Sequence, residues 1–236
     1  MKKLSLINLF LLLSIIGYLT INQTKEENTH FKKLTAERID IVNEDGNKFI
    51  VLSNPKQQAL ATINGEVINP ENTERNTPGL IFFNSEGDEV GGLVFDKDSQ
   101  GTYQMLTFDQ HKNDQIMVLR KDEYKENDEW FRQYGLEISE RSEKSSINIV
   151  REYNSIKAIN DSIERLKAID EFWKNPENLA SKRLFLGRLE NLNTGLFLMD
   201  KNNKVKLSIY VDAKGSPVIQ QTDSLGNKKN LLDYIK

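Results

Sequence analysis

The sequence predicts a mainly β fold: an antiparallel hairpin-repeat sheet, arranged as a sandwich or an open barrel, with one long amphipathic α-helix and an N-terminal transmembrane helix. Three observations predict this fold. An uncharged apolar run begins near the N-terminus, and short apolar segments then alternate with turns led by Asn or Asp. Apolar residues recur at helical spacing in one later segment. The 236 residues, 38% of them hydrophobic, suffice for one good-sized domain or two small ones.

The composition argues against several classes of function. Lys and Arg number 32 against 35 Asp and Glu, so the chain lacks the basic surplus that nucleic-acid binding needs, and no nucleic-acid partner is expected. Cysteine is absent, which excludes disulfides and thiolate catalysis, and His30 and His111 are the only histidines. No phosphate-binding loop, zinc-protease motif, dinucleotide fingerprint or nucleophile elbow occurs. We therefore predict no enzyme activity, no catalytic residue, no cofactor and no metal site.

The first 23 residues are predicted to be a transmembrane anchor or a signal segment. Lys2 and Lys3 precede an apolar segment, residues 4–21, whose 18 residues are at the short end for a helix that spans a membrane. An uncleaved anchor leaves the N-terminus cytoplasmic and the main domain periplasmic or extracellular. In the alternative, a signal peptide is cut after Gly17 and the domain is secreted.

The remaining chain divides into a tether and a β domain. Residues 24–36 are polar and aperiodic, which is typical of a tether, and residues 37–236 form the predicted extracytoplasmic domain. Within it, residues 53–78 carry three of the five prolines and an Asn64-Gly65 turn, which predicts a long loop around one small hairpin. Such a loop often carries function, although it can also be a simple crossover.

One turn recurs along the β domain. Asn or Asp at the first turn position accepts backbone hydrogen bonds, and Gly three residues later tolerates positive φ, as in NEDG from Asn43. The frame occurs six times, and its last three copies lie in strand-turn repeats at residues 183–230. The predicted structural turn residues are Asn43, Gly46, Asn84, Gly87, Asp109, Asp200, Asp212, Gly215, Asp223 and Gly226. A second recurrence is Gly-Leu at the start of an apolar run, which occurs at Gly79, Gly92, Gly135 and Gly195.

The acidic stretch NSEGDEVGGLVF, which begins at Asn84, resembles a calcium loop only superficially. An EF-hand needs Gly at its sixth position and Glu at its twelfth, and this stretch has neither, so we predict a hairpin turn. His111 lies within another predicted turn and is expected to be exposed. Gly91-Gly92 predicts a β-bulge or a close backbone approach, with a ligand-binding surface as the alternative.

Residues 155–174 are predicted to form a single helix of about 30 Å. Asn154 or Ser155 caps its start and Asn175-Pro176 ends it. Its apolar stripe is expected to pack on the sheet or, alternatively, on a sister helix in an oligomer. The stripe consists of Ile156, Ile159, Ile163, Leu166, Ile169 and Trp173.

Four aromatic residues fall close together in DEYKENDEWFRQYGLEI: Tyr124, Trp130, Phe131 and Tyr134. Such residues can stack on a sugar. Their spacing is also typical of a strand and its cross-strand partners, which is the interpretation that we favour.

Four segments, taken in order, resemble an uncharacterised family of bacterial proteins. They are LTAERIDIVNEDGNKFIVLSN, TPGLIFFNSEGDEVGGLVF, LTFDQHKNDQIMVLR and RLFLGR, and the core PGLIFFN-EG-GGL-F is the most specific. The resemblance implies an N-terminal membrane segment, a hairpin-rich region, a charged helix and C-terminal strand-turn repeats. It implies no activity, ligand or catalytic residue.

These observations predict a membrane-tethered extracytoplasmic protein with a binding or structural role in the bacterial envelope. The expected partners are the membrane, through residues 4–21, and an envelope glycan or protein. One alternative is an enzyme that acts on envelope polysaccharide, which would be favoured by two or three carboxylates in one pocket. The other is self-assembly into a homo-oligomer.

Overall fold

The computed structural model of the chain describes residues 10–18, 30–97, 99 and 101–234. The chain divides into two compact units, Met1–Ala36 and Glu37–Lys236. In the first unit, residues 10–18 belong to a helix, α1. No helix within the described residues combines the length and the apolar character that a membrane crossing requires. The predicted N-terminal transmembrane helix is therefore unsupported, and segment 4–21 extends on both sides beyond the described residues.

The second unit is built on an antiparallel sheet of twelve strands, which confirms the prediction of a mainly β fold. Each strand pairs with its neighbours in chain order, except that β3 and β4 form a separate hairpin. The strands are β1 (Arg38–Val42), β2 (Lys48–Ser53), β3 (Thr62–Ile63), β4 (Glu66–Val67), β5 (Gly79–Phe83), β6 (Glu89–Lys97), β7 (Gly101–Asp109), β8 (Gln115–Glu126), β9 (Glu129–Glu140), β10 (Ser181–Arg188), β11 (Thr194–Met199), β12 (Val205–Val211), β13 (Pro217–Thr222) and β14 (Lys228–Asn230).

The sheet is one open layer. Among the described residues, β1 pairs with β2 alone and β14 pairs with β13 alone, so the two edges do not meet. The strands of the described residues belong to this sheet or to the β3–β4 hairpin, so the antiparallel sheet is the part of the prediction that is confirmed. A meander of short hairpins can extend strand by strand without a partner sheet when other segments cover one of its faces.

One face of the sheet, here called the covered face, holds the core. Val51, Ile81 and Val94 on this face pack with Ala59, which belongs to the loop after β2. Because side chains alternate along a strand, the neighbouring residues point to the opposite, open face. The Gly-Leu recurrence has the same origin: Gly135 pairs with Gly187 on the covered face, and the Leu that follows Gly135 lies on the open face.

The long loop after β2 covers this core, and it contains the predicted small hairpin. The β3 and β4 strands flank Asn64-Gly65, and Ile63 is buried. The Thr62 hydroxyl donates a hydrogen bond of 2.7 Å to the carbonyl oxygen of Gly87, which joins the hairpin to the turn between β5 and β6. Residues 53–78 therefore form a lid on the sheet rather than a free loop.

The prediction of one helix at 155–174 is wrong, because two helices occupy this region. They are α2 (Ser146–Lys157) and α3 (Ser162–Lys174). The carboxylate of Asp161 accepts hydrogen bonds from the backbone N–H groups of Ile163 and Glu164 and so caps a new helix.

The two helices pack on each other through an aromatic cluster. The Tyr153 ring lies 5.3 Å from that of Phe172 and 5.4 Å from that of Trp173. Ile163 and Leu166, which were expected to be covered, are exposed on α3. The break thus lets one apolar segment pack against another instead of lying as a single rod on the sheet.

Candidate functional site

Five of the six predicted turns share one hydrogen-bond pattern. In each, Oδ1 of the leading Asn or Asp accepts hydrogen bonds of 2.8–3.1 Å from the backbone N–H groups two and four residues later. The residue three positions after the leader has positive φ, and in one turn this residue is Asn203 rather than Gly. The leaders are Asn43, Asn84, Asp200, Asp212 and Asp223, and the other positive-φ residues are Gly46, Gly87, Gly215 and Gly226.

The sixth turn begins one residue later than the sequence suggests. Asp109 is the last residue of β7, and the turn is closed by hydrogen bonds between Gln110 and Asp114 and between Asn113 and Gln110. The side chain of Gln110 is one methylene longer than that of Asn, so it does not accept the backbone hydrogen bonds of its own turn as Asn or Asp does. Its amide nitrogen instead donates to the carbonyl oxygen of Ser142 at 2.8 Å. Asp109 is therefore free of the turn.

The hairpins themselves show why Asp109 is unusual. Four of them contain the same register shift next to the turn. A β-bulge, in which two residues of one strand face one residue of the other, produces such a shift. At the equivalent strand-end position, three of the four carry an apolar residue: Val42, Phe83 and Met199. The fourth carries Asp109. The repeat therefore places a carboxyl group where its sister hairpins place an apolar side chain.

Asp109 lines a cavity of about 470 Å³, here called the Asp109 cavity. Its floor is formed by the ends of β6–β9, and its walls come from the lid loop, from α2 and from the end of α3. The walls are partly apolar, with Ile68, Ile149 and Val150 among them, and Trp173 lies at 45% exposure on one side. The volume falls within the roughly 300–1,000 Å³ of small-molecule sites.

Two arginine–carboxylate pairs lie in this cavity. Arg75 donates two hydrogen bonds to Glu89, at 2.5 and 2.9 Å. Arg141 donates to Oδ2 of Asp114 at 2.8 Å and to the carbonyl oxygen of Gln115 at 3.0 Å. The bulge between β5 and β6 pairs Phe83 with Glu89, which puts Glu89 on the covered face. Both arginines are therefore neutralised by their own partners.

The carboxyl group of Asp109 has no such partner. Its Oδ1 is buried, and among the described residues it has no hydrogen-bond partner. Burial raises the pKa of Asp109 to about 7, and the negative charges of Glu89 and Asp114 act in the same direction, against Arg75 and Arg141. Near neutral pH this group can therefore either donate or accept a hydrogen bond.

A second group of possible ligands, Glu86, Asp88 and His111, has oxygen and nitrogen atoms within 4.8 Å of one another. Asp88 is 1% exposed, and its carboxylate accepts hydrogen bonds from the backbone N–H of Asn64 at 2.6 Å and from the side chain of Asn84 at 2.9 Å. These contacts hold the lid hairpin to the β5–β6 turn and give Asp88 a structural role without an ion.

Gly91-Gly92 permits the close backbone approach that the sequence predicts as one of its alternatives. A Cβ atom on Gly91, whose φ is +136°, would lie 2.2 Å from the carbonyl oxygen of Thr107. One on Gly92 would lie 2.6 Å from that of Leu80. Both glycines are thus explained by the tight pairing of β6 with its two neighbours.

The four aromatic residues of the β8–β9 hairpin pair within the sheet. Tyr124 stacks on Phe131 with ring centroids 5.2 Å apart. The Arg132 guanidinium lies 5.8 Å from the Trp130 ring, and that of Arg188 lies 5.7 Å from the Tyr134 ring. These contacts agree with the strand interpretation.

Sequence reasoning missed most of the Asp109 cavity. Arg75, Glu89, Arg141 and Trp173 are far apart in the chain, and nothing local in the sequence links them. One signal was available, because Asp109 interrupts the apolar character that Val42, Phe83 and Met199 show at the same distance from a turn. Comparison of the chain with protein-family models, curated proteins and solved structures finds no match.

Proposed function

We propose that the protein is an exported, membrane-tethered β-sheet protein that binds a small, neutral, hydroxyl-rich ligand of the bacterial envelope in the Asp109 cavity. The observation that carries the proposal is the unpartnered carboxyl group of Asp109 in a cavity of ligand size. The envelope location rests on the N-terminal sequence.

The charges of the cavity favour a neutral ligand. Arg75 and Arg141 are each paired with a carboxylate, so neither offers a free positive charge to an anion. Asp109 is only partly ionised near neutral pH, which leaves little net charge to hold a cation. Asp109 can both donate and accept hydrogen bonds near neutral pH. A hydroxyl group of a ligand can also do both, so the two groups are complementary.

The apolar wall favours a ligand with a flat, less polar side. Trp173 presents part of its ring to the cavity, and aromatic rings pack well against the C–H face of a sugar. A saccharide unit of the envelope combines this face with a hydroxyl rim. It is therefore the class of ligand that we propose.

The test is thermal unfolding of the full-length protein against a panel of neutral saccharides and envelope glycan fragments, with calcium and zinc as ionic comparisons. A ligand at a hundred times its dissociation constant adds about 2.7 kcal/mol to the free energy of unfolding. We expect the shift from a saccharide to disappear in Asp109→Leu and Trp173→Ala. Trp130→Ala is the matched control, since Trp130 is similarly exposed but lies outside the cavity. A saccharide shift that survives Asp109→Leu would refute the site.

A second candidate is an enzyme that hydrolyses envelope polysaccharide. It is favoured by the criterion given above, since the carboxyl groups of Asp109, Glu89 and Asp114 line one cavity. The raised pKa of Asp109, about 7, supports it as well. Glycoside hydrolysis uses two carboxyl groups, one of them with a raised pKa that lets it act as the general acid. Release of reducing ends from a polysaccharide that Asp109→Asn abolishes, with binding retained, would favour the enzyme over the binding protein.

A further inference from the structure

An unbroken row of Leu and Ile side chains crosses the open face of the sheet. Cross-strand pairing puts one of them on each strand of the main sheet from β1 to β13. In order they are Ile39, Leu52, Leu80, Leu93, Leu106, Leu119, Leu136, Leu186, Leu196, Ile209 and Ile219. We call this row the aliphatic ladder.

A second row of mostly apolar residues runs beside the ladder, two residues along each strand. Its members are Ile41, Ile50, Phe82, Gly91, Phe108, Met117, Ile138, Leu184, Leu198, Leu207 and Gln221. Neither row contains a charged residue. The two rows together form a continuous apolar band.

Of the 22 residues of the band, nine are exposed, twelve are half-buried and one, Gly91, is buried. Leu119 is 54% exposed and Leu186 50%, whereas Val51 and Ile81 on the covered face are almost inaccessible. The lid loop and the helices α2 and α3 are all used on the other face. Exposure of this kind along a whole face is unusual in a protein that acts as a monomer.

The size of the band matches a protein interface. Eleven strands spaced by about 4.8 Å give a length of about 48 Å, and two rows of side chains are about 14 Å wide. The area is roughly 700 Å², above the roughly 300–600 Å² of the largest patch on a typical monomer. It is close to the roughly 800 Å² that each partner contributes to a stable complex.

The symmetry of the band indicates its partner. Leu119 is the middle rung, with five rungs on either side, so a two-fold axis that lies in the interface beside Leu119 lays the band on a second copy of itself. A band without charges gives no means of selecting a charged partner. An anionic membrane surface would need a cluster of basic residues, but the adjoining row offers only Lys121 and Arg188 among neutral residues such as Phe95.

We propose that the open face is the interface through which two copies of this chain associate, sheet upon sheet, with Leu119 of each copy next to the two-fold axis. Two sheets that pack in this way lie about 10 Å apart. The proposal is independent of the Asp109 cavity, which lies on the opposite face. It also accounts for the Leu of the Gly-Leu repeat, since each repeat supplies one rung.

The absence of native cysteine permits a clean test. Leu119→Cys in the full-length protein is treated with a short bis-maleimide at low protein concentration. Leu225→Cys is the matched control, because Leu225 is an apolar residue at 86% exposure in a turn away from the band. We expect about tenfold more cross-linked dimer from Leu119→Cys, because the complex raises the effective concentration of one thiol near the other. Random collision would favour the more exposed Leu225→Cys.

The other outcomes each overturn the proposal. Equal cross-linking of the two variants means a collisional contact. If the thiol of Leu119→Cys is shielded from a monofunctional maleimide but yields no dimer, then lipid, another protein or the N-terminal segment covers the band. A second variant, Leu119→Lys, is expected to shift the wild-type dimer to a monomer in sedimentation, and Leu225→Lys is not. A wild-type monomer at micromolar concentration would also exclude the interface.

Discussion

The β7–β8 and β11–β12 hairpins are built alike and are used differently. Both contain the same bulge, which pairs Asp109 with Gln115 in one and Met199 with Val205 in the other. In the β11–β12 hairpin, Asp200 closes its own turn with its side chain. In the β7–β8 turn, the side chains instead form hydrogen bonds with a segment outside the hairpin.

Those outward contacts hold the helical segment in place. Asn113 is buried, and its amide nitrogen donates to the carbonyl oxygens of Ser142 at 2.9 Å and of Lys144 at 2.8 Å. The backbone N–H of Ser146 donates to the carbonyl oxygen of Lys112, where α2 begins. The β7–β8 turn thus anchors the cover of a cavity, as the β5–β6 turn anchors the lid hairpin, and the residue next to the β7–β8 turn is the candidate functional group.

The largest expected effect comes from removing the titrating group, Asp109, that distinguishes the two hairpins. The pKa of Asp109 is about 7 against an ordinary 3.8. From about pH 4 to pH 7, the folded chain keeps a proton that the unfolded chain releases, so the free energy of unfolding falls as the pH rises through this window. The pKa difference of about three, at about 1.4 kcal/mol per unit, corresponds to about 4 kcal/mol. Asp109→Asn should therefore be more stable than wild type by up to this amount at pH 8.

Urea unfolding of wild type and Asp109→Asn between pH 4 and pH 8 measures this effect. The two curves should converge towards pH 4 and separate towards pH 8. Asp212→Asn in an exposed turn is the control and should not gain stability at high pH. Parallel curves for Asp109→Asn and wild type would mean that Asp109 is not a buried, titrating group.

The next effect concerns the backbone that joins the two hairpins. A Cβ atom on Gly187 would lie 2.2 Å from the carbonyl oxygen of Tyr134 and 2.6 Å from Cα of Gly135. Gly187→Ala must push β9 and β10 apart, which we expect to cost about 3 kcal/mol. Gly215→Ala, at a turn with φ of +86° and open space around it, should cost only about 1 kcal/mol. Denaturant midpoints compare the two, and equal losses would contradict the close pairing.

The smallest effect tests the anchoring turn. Asn113→Ala leaves the carbonyl oxygen of Lys144 without its donor, while that of Ser142 keeps the hydrogen bond from Gln110, and we expect a loss of about 2 kcal/mol. Asn202→Ala in the corresponding turn of the β11–β12 hairpin removes only an exposed side chain and should change stability by less than about 0.5 kcal/mol. Hydrogen exchange should also show faster opening of α2 in Asn113→Ala. Unchanged protection of α2 would show that the turn does not anchor it.

Much of the sheet was predictable because its causes are local. An Asx leader and a residue that accepts positive φ decide a turn within five residues, as at Asp212 and Gly215. One turn of the same kind escaped prediction, since Leu189 leads it and Leu192 takes the positive φ. Here the pairing of the flanking strands forces the turn, although leucine has no preference for either turn position.

The helices and the cavity were less predictable because their causes are not local. The helical periodicity at 155–174 continues through Asp161, so the pattern alone does not reveal that capping by Asp161 outcompetes a continuous helix. Arg75, Glu89 and Arg141 meet only because the lid folds over the ends of β6–β9. Contacts between residues so far apart in the chain cannot be read from the periodicity of the sequence.

The sequence by itself determined the hairpin repeat, the strand-by-strand alternation and the supply of one Leu or Ile per strand, since each of these depends on residues within a few positions of one another. The tertiary structure alone decided which face the lid and the helices cover, because that choice depends on packing between segments distant in the chain. The same choice gave Asp109 its burial and its raised pKa, and it left the aliphatic ladder open for a partner. One face of the sheet thus carries the proposed ligand site and the other the proposed interface.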